Sequence, residues 1–282
     1  MTRGVVLIAN NNESIDYILQ ACYSVNNIKK YLDLPVTLIT DTPDLFKTKY
    51  VLYEKLFDNI IEHTPYGDYT VKTYRDGFFD SKPLKFKNSS RASVFDLTPY
   101  DETIVLDTDV LIFNNNFLKC FDQMHDLLIY RNTIDVCGGR SDGEFAFISD
   151  ASVDFYWATC IFFRKTLENE IFFNLVQHIQ ENWNHYRLLY QITSSVFRND
   201  FAFSIAIHIM NGSTSGDFVK EFPGKLLYST DRDELVTIYD DGVLILVEKT
   251  DNVGKQTPLR TVNTNIHIMN KFSLDRAIKN DN

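Results

Sequence analysis

An unbroken apolar run, Gly4-Val5-Val6-Leu7-Ile8-Ala9, opens the chain; after the polar Asn10-Asn11-Asn12-Glu13, the residues Ile15, Ile18, Leu19, Cys22, Val25 and Ile28 recur at helical spacing. The pattern predicts strand, loop and helix. Leu34-Pro35-Val36-Thr37-Leu38-Ile39-Thr40-Asp41 predicts a second buried strand, and Asp58-Asn59-Ile60-Ile61-Glu62 a shorter third. From Pro83 to Leu97 the positions Leu84, Phe86, Ala92, Val94 and Phe95 fit a helix imperfectly, and Pro99 stops it. A further buried strand follows, Ile104-Val105-Leu106-Asp107-Thr108-Asp109-Val110-Leu111-Ile112, interrupted by two acids.

Asp126 to Tyr130 and Tyr156 to Phe163 read as strands, with a loop at Cys137-Gly138-Gly139-Arg140-Ser141-Asp142-Gly143-Glu144 between them. Thr166 precedes a helix carrying Ile171, Phe172, Leu175, Val176 and Ile179, and Asn199 is placed to cap another carrying Phe201, Ala202, Ile205, Ala206 and Ile209, which Gly212 ends. Strands near Leu226 to Tyr228 and Val243 to Val247, a polar stretch from Lys249 to Pro258, and the alternating Asn263-Thr264-Asn265-Ile266-His267-Ile268-Met269 complete the chain. Strands alternating with helices predict an α/β fold with a mostly parallel sheet covered on both faces, whose ligands sit at the carboxyl ends of the strands.

The 282 residues, 44% hydrophobic, suffice for one globular unit with a sizeable core. Lys and Arg total 28 against 38 for Asp and Glu, and the net charge of −10 opposes binding a polyanion through bulk charge alone. A local basic face remains open, built from Lys82, Lys85, Lys87 and Arg91 or from Arg187 and Arg198. Cys22, Cys120, Cys137 and Cys160 show no paired spacing and lie among apolar neighbours, as buried reduced thiols do. No apolar run approaches the roughly 20 residues that cross a bilayer, and Met1-Thr2-Arg3-Gly4 leads into a strand rather than a signal-peptide core, so a cytoplasmic protein without membrane association is expected.

Asp107 and Asp109 carry the most chemistry. On an extended strand, residues i and i+2 point the same way, so two carboxylates at a strand end converge on one point beyond the sheet edge. Hard oxygen ligands of that kind suit Mg2+ or Mn2+, which bind through one or two carboxylates plus substrate phosphates. The competing reading is a pair of acids capping backbone amides in a strand-end turn. Asp231-Arg232-Asp233 has the same spacing but no buried strand before it, and reads as a solvated turn.

Ser90-Arg91-Ala92-Ser93-Val94-Phe95-Asp96-Leu97-Thr98-Pro99-Tyr100-Asp101-Glu102-Thr103, followed by the Asp107-Thr108-Asp109 strand, resembles nucleotide-sugar glycosyltransferases of the GT-A fold. The resemblance is greatest to glycogenin-like family-eight enzymes and their phage-encoded relatives. It implies a Rossmann-like, mostly parallel mixed sheet flanked by helices in a single catalytic domain, with residues 1–113 as the nucleotide-binding half and 114–282 as the acceptor half. It implies further that Asp109 is the principal ligand of a divalent metal, Mn2+ or Mg2+, and that Asp107 shares metal and ribose contacts. His267 stands where the family supplies a third metal ligand, without the glycine that commonly follows; otherwise it is a hydrogen-bonded structural residue. Lys271 is placed to reach the donor diphosphate. Ala9, Asn10 and Asn11 follow the first strand, where the family cradles base and ribose, although asparagines there also suit a helix-entry loop. Arg91, on the helix before the acidic strand, would face the donor.

Asp200 in Arg198-Asn199-Asp200-Phe201 stands where the family has an acid beside the donor sugar, with Phe201 in place of the usual glutamine, and a helix N-terminal acid is the alternative. The loop Gly138 to Asp142 is a candidate for close backbone approach to the sugar. The implied donor is UDP-glucose and the implied outcome retention of configuration. The acceptor stays open among glycans, protein hydroxyls, small molecules and hydroxymethylated phage DNA, as does the oligomeric state. A haloacid-dehalogenase-type phosphohydrolase would use the same acids as nucleophile and acid-base, with Asp240-Asp241 as its later pair, but its motif ends the first strand of the chain. A non-catalytic nucleotide- or carbohydrate-binding domain is the third reading.

Overall fold

The computed structural model describes residues 1–65, 70–77, 79–86, 90–138, 145–150, 153–248 and 255–281. The first part of the chain forms β1 (Arg3–Ile8), α1 (Tyr17–Leu32), β2 (Val36–Thr40), β3 (Asn59–Glu62), β4 (Thr70–Asp76), β5 (Asp80–Phe86), α2 (Val94–Leu97), β6 (Glu102–Leu106), β7 (Val110–Leu111), β8 (Leu127–Tyr130) and β9 (Ile134–Asp135). There follow β10 (Trp157–Arg164), α3 (Leu167–Glu181), α4 (Trp183–Leu189), α5 (Asn199–Met210), β11 (Leu227–Ser229), β12 (Glu234–Tyr239), β13 (Gly242–Glu248), β14 (Gln256–Arg260), β15 (Ile266–Ile268) and α6 (Lys271–Asp281).

The continuous apolar runs do form a sheet buried on both faces. Its six strands run in the order β3-β2-β1-β6-β10-β8. β1 is parallel to β2 and β6, and β2 to β3, while β10 is antiparallel to both its neighbours. The fold is α/β with a mostly parallel mixed central sheet flanked by helices. Val5, Val6, Leu7, Leu38, Ile104 and Val105 are fully buried in it. α1 lays Cys22, Val25 and Ile28 into the same core, and α3 and α5 contribute Phe172, Val176, Ala202 and Phe203. Asp16 starts α1 by accepting from Leu19 N at 3.0 Å, and Thr166 starts α3 by accepting from Asn169 N at 3.3 Å. A second sheet, β7-β15-β11-β9, packs with the antiparallel β12-β13-β14 sheet and α6 around Leu111, Val243, Ile266 and Leu274.

Four local expectations are corrected. The segment before α2 is not helical: β4 and β5 form a hairpin, and Pro83 lies within this two-stranded ribbon, where a missing N–H is tolerated. Tyr74 and Leu84 of that hairpin turn inward onto Ile15, with Lys72 on the same face opposite Leu84, while Lys82 and Lys85 are exposed. Asn199 is the first residue of α5 rather than its cap, a position held by Arg198 in extended conformation. Asp233 is buried, not solvated, because it accepts from Thr230 N and Glu248 N at 2.9 and 3.4 Å. Cys137 is half-buried, while Cys22, Cys120 and Cys160 are buried, and all four are free thiols. Burial pushes the Cys22 thiol up to about 12. Among the described residues no helix is long and apolar enough to cross a membrane.

Candidate metal centre

The chain changes sheets at Asp107-Thr108-Asp109. β6 ends in the central sheet, and β7 begins in the second one, paired with β15 so that Val110 lies opposite His267. The two acids therefore sit in a tight turn, closed by Val110 N donating to Asp107 O at 3.1 Å, and not on the extended strand that the spacing suggested. The turn is pinned from both sides, by Asp107 N donating to Thr159 O at 2.9 Å and Ile268 N to Asp109 O at 2.9 Å. Register alone thus carries His267, 158 residues away in sequence, to Asp109.

The outcome is a cluster at the carboxyl edge of the parallel strands, where open α/β sheets bind ligands. One ligand atom from each of Asp107, Asp109 and His267 lies within 4.8 Å of the others. Asp109 and His267 are buried, and the Asp107 side chain is 29% exposed and faces outward. His267 Nε2 lies 3.1 Å from Asp109 Oδ2, the oxygen that also accepts from Lys271 Nζ. Burial raises the Asp109 carboxyl, but Lys271 and His267 more than offset it and hold the group well below the usual carboxylate range. Arg91, in the turn before α2 rather than on a helix, reaches under the sheet edge to donate to Asp107 Oδ1 and to Ala158 O.

This donor set fits a divalent ion. Two carboxylates and an imidazole provide anionic oxygen and neutral nitrogen, the ligands Mn2+ accepts and Mg2+ partly shares. His267 Nδ1 is buried and has no hydrogen-bond partner among the described residues, and a buried ring nitrogen left unsatisfied is costly unless something else meets it. The guanidinium takes one oxygen of Asp107 and leaves the side chain partly open to solvent.

Asp200, at the start of α5, accepts from Ala158 N at 3.0 Å and from Arg198 at 2.9 Å. The backbone of Ala158 therefore stands between Asp200 and Arg91. Asn199 beside it is buried, with neither amide atom hydrogen-bonded among the described residues. At the end of β1, Ala9 is buried and donates to Ile39 O at 2.9 Å. Asn10 accepts from Asp41 N at 3.0 Å and reaches Ser90 at 3.5 Å, which ties the β1 loop to the residue preceding Arg91. Asn11 accepts from Ile18 N at 2.9 Å and donates to Asp16 at 3.0 Å, the geometry of a helix-entry loop. Gly139 to Asp142 and Lys87 lie outside the described residues. Asp240 and Asp241 occupy the turn between β12 and β13, where Asp241 pairs with Arg260, and the acidic cluster includes His267 rather than either of them.

Three contributors have no sequence motif. Gln20 on α1 accepts from Thr108 Oγ1 at 3.2 Å and donates to Asp275 on α6 at 2.6 Å. Ser24, one turn on, donates to Thr108 O at 2.8 Å. Gln20 and Ser24 are a buried polar pair four apart on an apolar helix face, and that spacing was the available signal. The third is Lys72 of β4, over the Tyr74 ring at 5.1 Å. Burial, with Arg198 and Lys271 close by, lowers its ammonium to about 8.

No protein-family model matches the sequence, and no curated protein matches it. Among solved structures the chain is similar to the glycosyltransferase GlyE of Streptococcus pneumoniae TIGR4, at 13% identity and a TM-score of 0.44 over 78% of this chain and 45% of that one. It is also similar to mouse xyloside xylosyltransferase 1, at 11% identity and a TM-score of 0.46 over 78% of this chain and 85% of that one. A third is the galactosyltransferase LgtC in complex with donor and acceptor sugar analogs, at 11% identity and a TM-score of 0.43 over 83% and 75%. The chain spans less than half the length of GlyE.

Proposed function

We propose that the protein is a metal-dependent glycosyltransferase of the GT-A type that moves a sugar from a nucleoside-diphosphate sugar to an acceptor hydroxyl. The observation that carries this reading is the gathering of Asp107, Asp109 and His267 within 4.8 Å at the carboxyl edge of the sheet, with Lys271 and Arg91 against the two acids. Asp107, Asp109 and His267 would hold Mn2+ or Mg2+, and when bound the ion neutralises charge on a departing diphosphate.

The chain's own residues supply the rest. Lys271, on the first turn of α6, offers a point charge to a phosphate oxygen once Asp109 is engaged elsewhere. Arg91 fixes the rotamer of Asp107 by holding one of its carboxylate oxygens against the Ala158 backbone. Asp200 is oriented by Ala158 N and Arg198, so its carboxylate is available to donor-sugar hydroxyls in a set position. Lys72 and Arg198 add positive charge close to Lys271 and Asp200, which suits a ligand carrying two or more negative charges. Ala9, Asn10 and Asn11 stand for base and ribose contacts, the donor for UDP-glucose, and the stereochemistry for retention, as the resemblance implies.

Release of UDP from UDP-glucose in the presence of Mn2+ tests the reading. It is expected to stop on addition of a chelator and to fall at least about a hundredfold in Asp109→Asn, the range of a lost charge-stabilising group. Metal-independent release, or an unchanged variant, would exclude it.

A further inference from the structure

Each acid of the candidate centre is already met by a cation, and the two cations differ in how firmly they are held. Arg91 donates to Asp107 Oδ1 and to Ala158 O, and its side chain is 6% exposed. It is fixed at both acceptors. Lys271, on the first turn of α6, donates to Asp109 Oδ2, and its side chain is 18% exposed. Asp109 is its only hydrogen-bond acceptor among the described residues. The same oxygen of Asp109 lies 3.1 Å from His267 Nε2, so the ammonium neutralises the buried carboxylate on which the cluster of Asp107, Asp109 and His267 depends for a metal. With one positive charge on each acid the pair is balanced, and an ion of charge two gains little there while Lys271 stays, because like charges repel strongly where solvent is excluded.

Lys271 has few places to go in the free protein. Its Nζ lies 5.9 Å from the Tyr17 ring, whose hydroxyl is 3.4 Å from that of Tyr74 on β4. Lys72, two residues before Tyr74 and on the same face of the hairpin, is close enough to Lys271 for the two charges to oppose each other. Swinging off Asp109 toward the hairpin brings the ammonium up against this second cation, unless an anion lies between them.

We propose that Lys271 is a stand-in cation: in the free protein it serves Asp109 in place of a divalent ion, and a diphosphate draws it off, so that metal and nucleotide enter as a coupled pair and neither binds tightly alone. The inference rests on the glycosyltransferase reading for the identity of the anion, while the exchange of one cation for another on Asp109 needs only the metal and a diphosphate. Asp109 keeps a positive partner in both states, as a buried carboxylate requires. A diphosphate carries enough negative charge to meet Lys271 and Lys72 together, which removes the repulsion that holds Lys271 on Asp109. Arg91 takes no part in the exchange, because leaving Asp107 would also strip Ala158 O of its donor. By linkage, whatever factor the diphosphate adds to metal binding the metal adds to diphosphate binding.

Mn2+ titrations of the full chain, followed by electron paramagnetic resonance and corrected for ion bound by the added phosphate in solution, test the exchange with UDP, with pyrophosphate and with neither. Lys271→Gln keeps a hydrogen-bond donor for Asp109 and removes the charge. It is expected to bind Mn2+ alone about tenfold more tightly than the parent and to bind UDP at saturating Mn2+ about tenfold more weakly, so that most of the coupling is lost. Lys271→Arg keeps the charge and should hold Mn2+ off as the parent does. Lys72→Met removes a nearby cation that does not pair with Asp109, and should change Mn2+ binding far less than Lys271→Gln. Equal Mn2+ affinity of Lys271→Gln and the parent, or an equal gain in Lys72→Met, would overturn the exchange. If Lys271→Gln does not fold, the parent decides: Mn2+ affinity unchanged by both pyrophosphate and UDP would overturn the exchange. Pyrophosphate strengthening Mn2+ binding to the parent while UDP has no effect would instead overturn the nucleotide reading and leave the exchange standing.

Discussion

Thr108, the residue between the two acids, gives its hydroxyl to the buried amide of Gln20 at 3.2 Å. Because Gln20 also donates to Asp275 at 2.6 Å, and Asp275 accepts from Asp16 N at 3.1 Å, helices α1 and α6 grip the acidic turn through one side chain. The segment that begins α6 thus touches the turn twice, at Asp109 through Lys271 and at Thr108 through Asp275 and Gln20.

Replacing Gln20 should loosen that grip. Gln20→Leu leaves the Thr108 hydroxyl and one carboxylate oxygen of Asp275 without their buried partner, each worth about 1–3 kcal/mol, so a marked fall in melting temperature and weaker Mn2+ binding are expected. Gln20→Glu sets a second carboxyl against Asp275, whose own group burial already raises. Stability of that variant should recover as the pH falls from 8 toward 5, because one proton then serves both groups. Thermal melts at the two pH values decide; a variant that melts like the parent at both would show that Gln20 does not hold the turn.

Arg91 is buried and serves Asp107 and Ala158 O together. Arg91→Met should destabilise by about 2–4 kcal/mol, less than a fully buried pair because Asp107 keeps some solvent contact. Arg91→Lys retains the charge but cannot span both acceptors, and should lie between the two. Urea unfolding measures the order. Equal stability of Lys and Met variants would mean that charge at this position is immaterial.

Lys72 gives a pH signature. Its ammonium titrates at about 8 in the folded chain against about 10.4 unfolded. Between those values the unfolded chain holds a proton that the folded one lacks, so stability rises with pH across this window, and below about 8 the buried charge is a constant penalty. Lys72→Met should flatten the rise. A diphosphate bound nearby favours the charged form, so UDP with Mn2+ should bind with proton uptake near pH 9, read by calorimetry in two buffers of different ionisation enthalpy. No uptake would place the anion away from Lys72.

Asn199 stands buried beside Asp200 with no hydrogen-bond partner among the described residues. Asn199→Leu removes two unsatisfied polar atoms, so stability should hold or increase, while sugar transfer should fall if the amide exists for the donor. Parallel melting and turnover assays separate the two effects. A clear loss of stability would assign the amide to the fold instead.

Continuous apolar runs made the central sheet legible, since strands buried on both faces leave no polar alternation to confuse with a helix. The hairpin of β4 and β5 was hidden because its inward face sets Lys72 beside Tyr74 and Leu84, and the lysines and proline around them mask a two-residue period. α6 escaped because its mean hydropathy is low and its apolar stripe is only Leu274, Ala277 and Ile278. The acids and His267 could be named from a resemblance, but their meeting depends on β7 pairing with β15. Gln20, Asp275 and Lys72 join the site through contacts between elements far apart in sequence, which no local spacing encodes.

Crystals grown with Mn2+ and UDP offer the most direct view, through anomalous scattering at the manganese edge. One strong peak is expected between Asp107, Asp109 and His267, with diphosphate oxygens on its open side and Lys271 drawn to them. A map without a peak there, or with manganese bound elsewhere while Asp109 stays locked to Lys271 and His267, would contradict the metal centre.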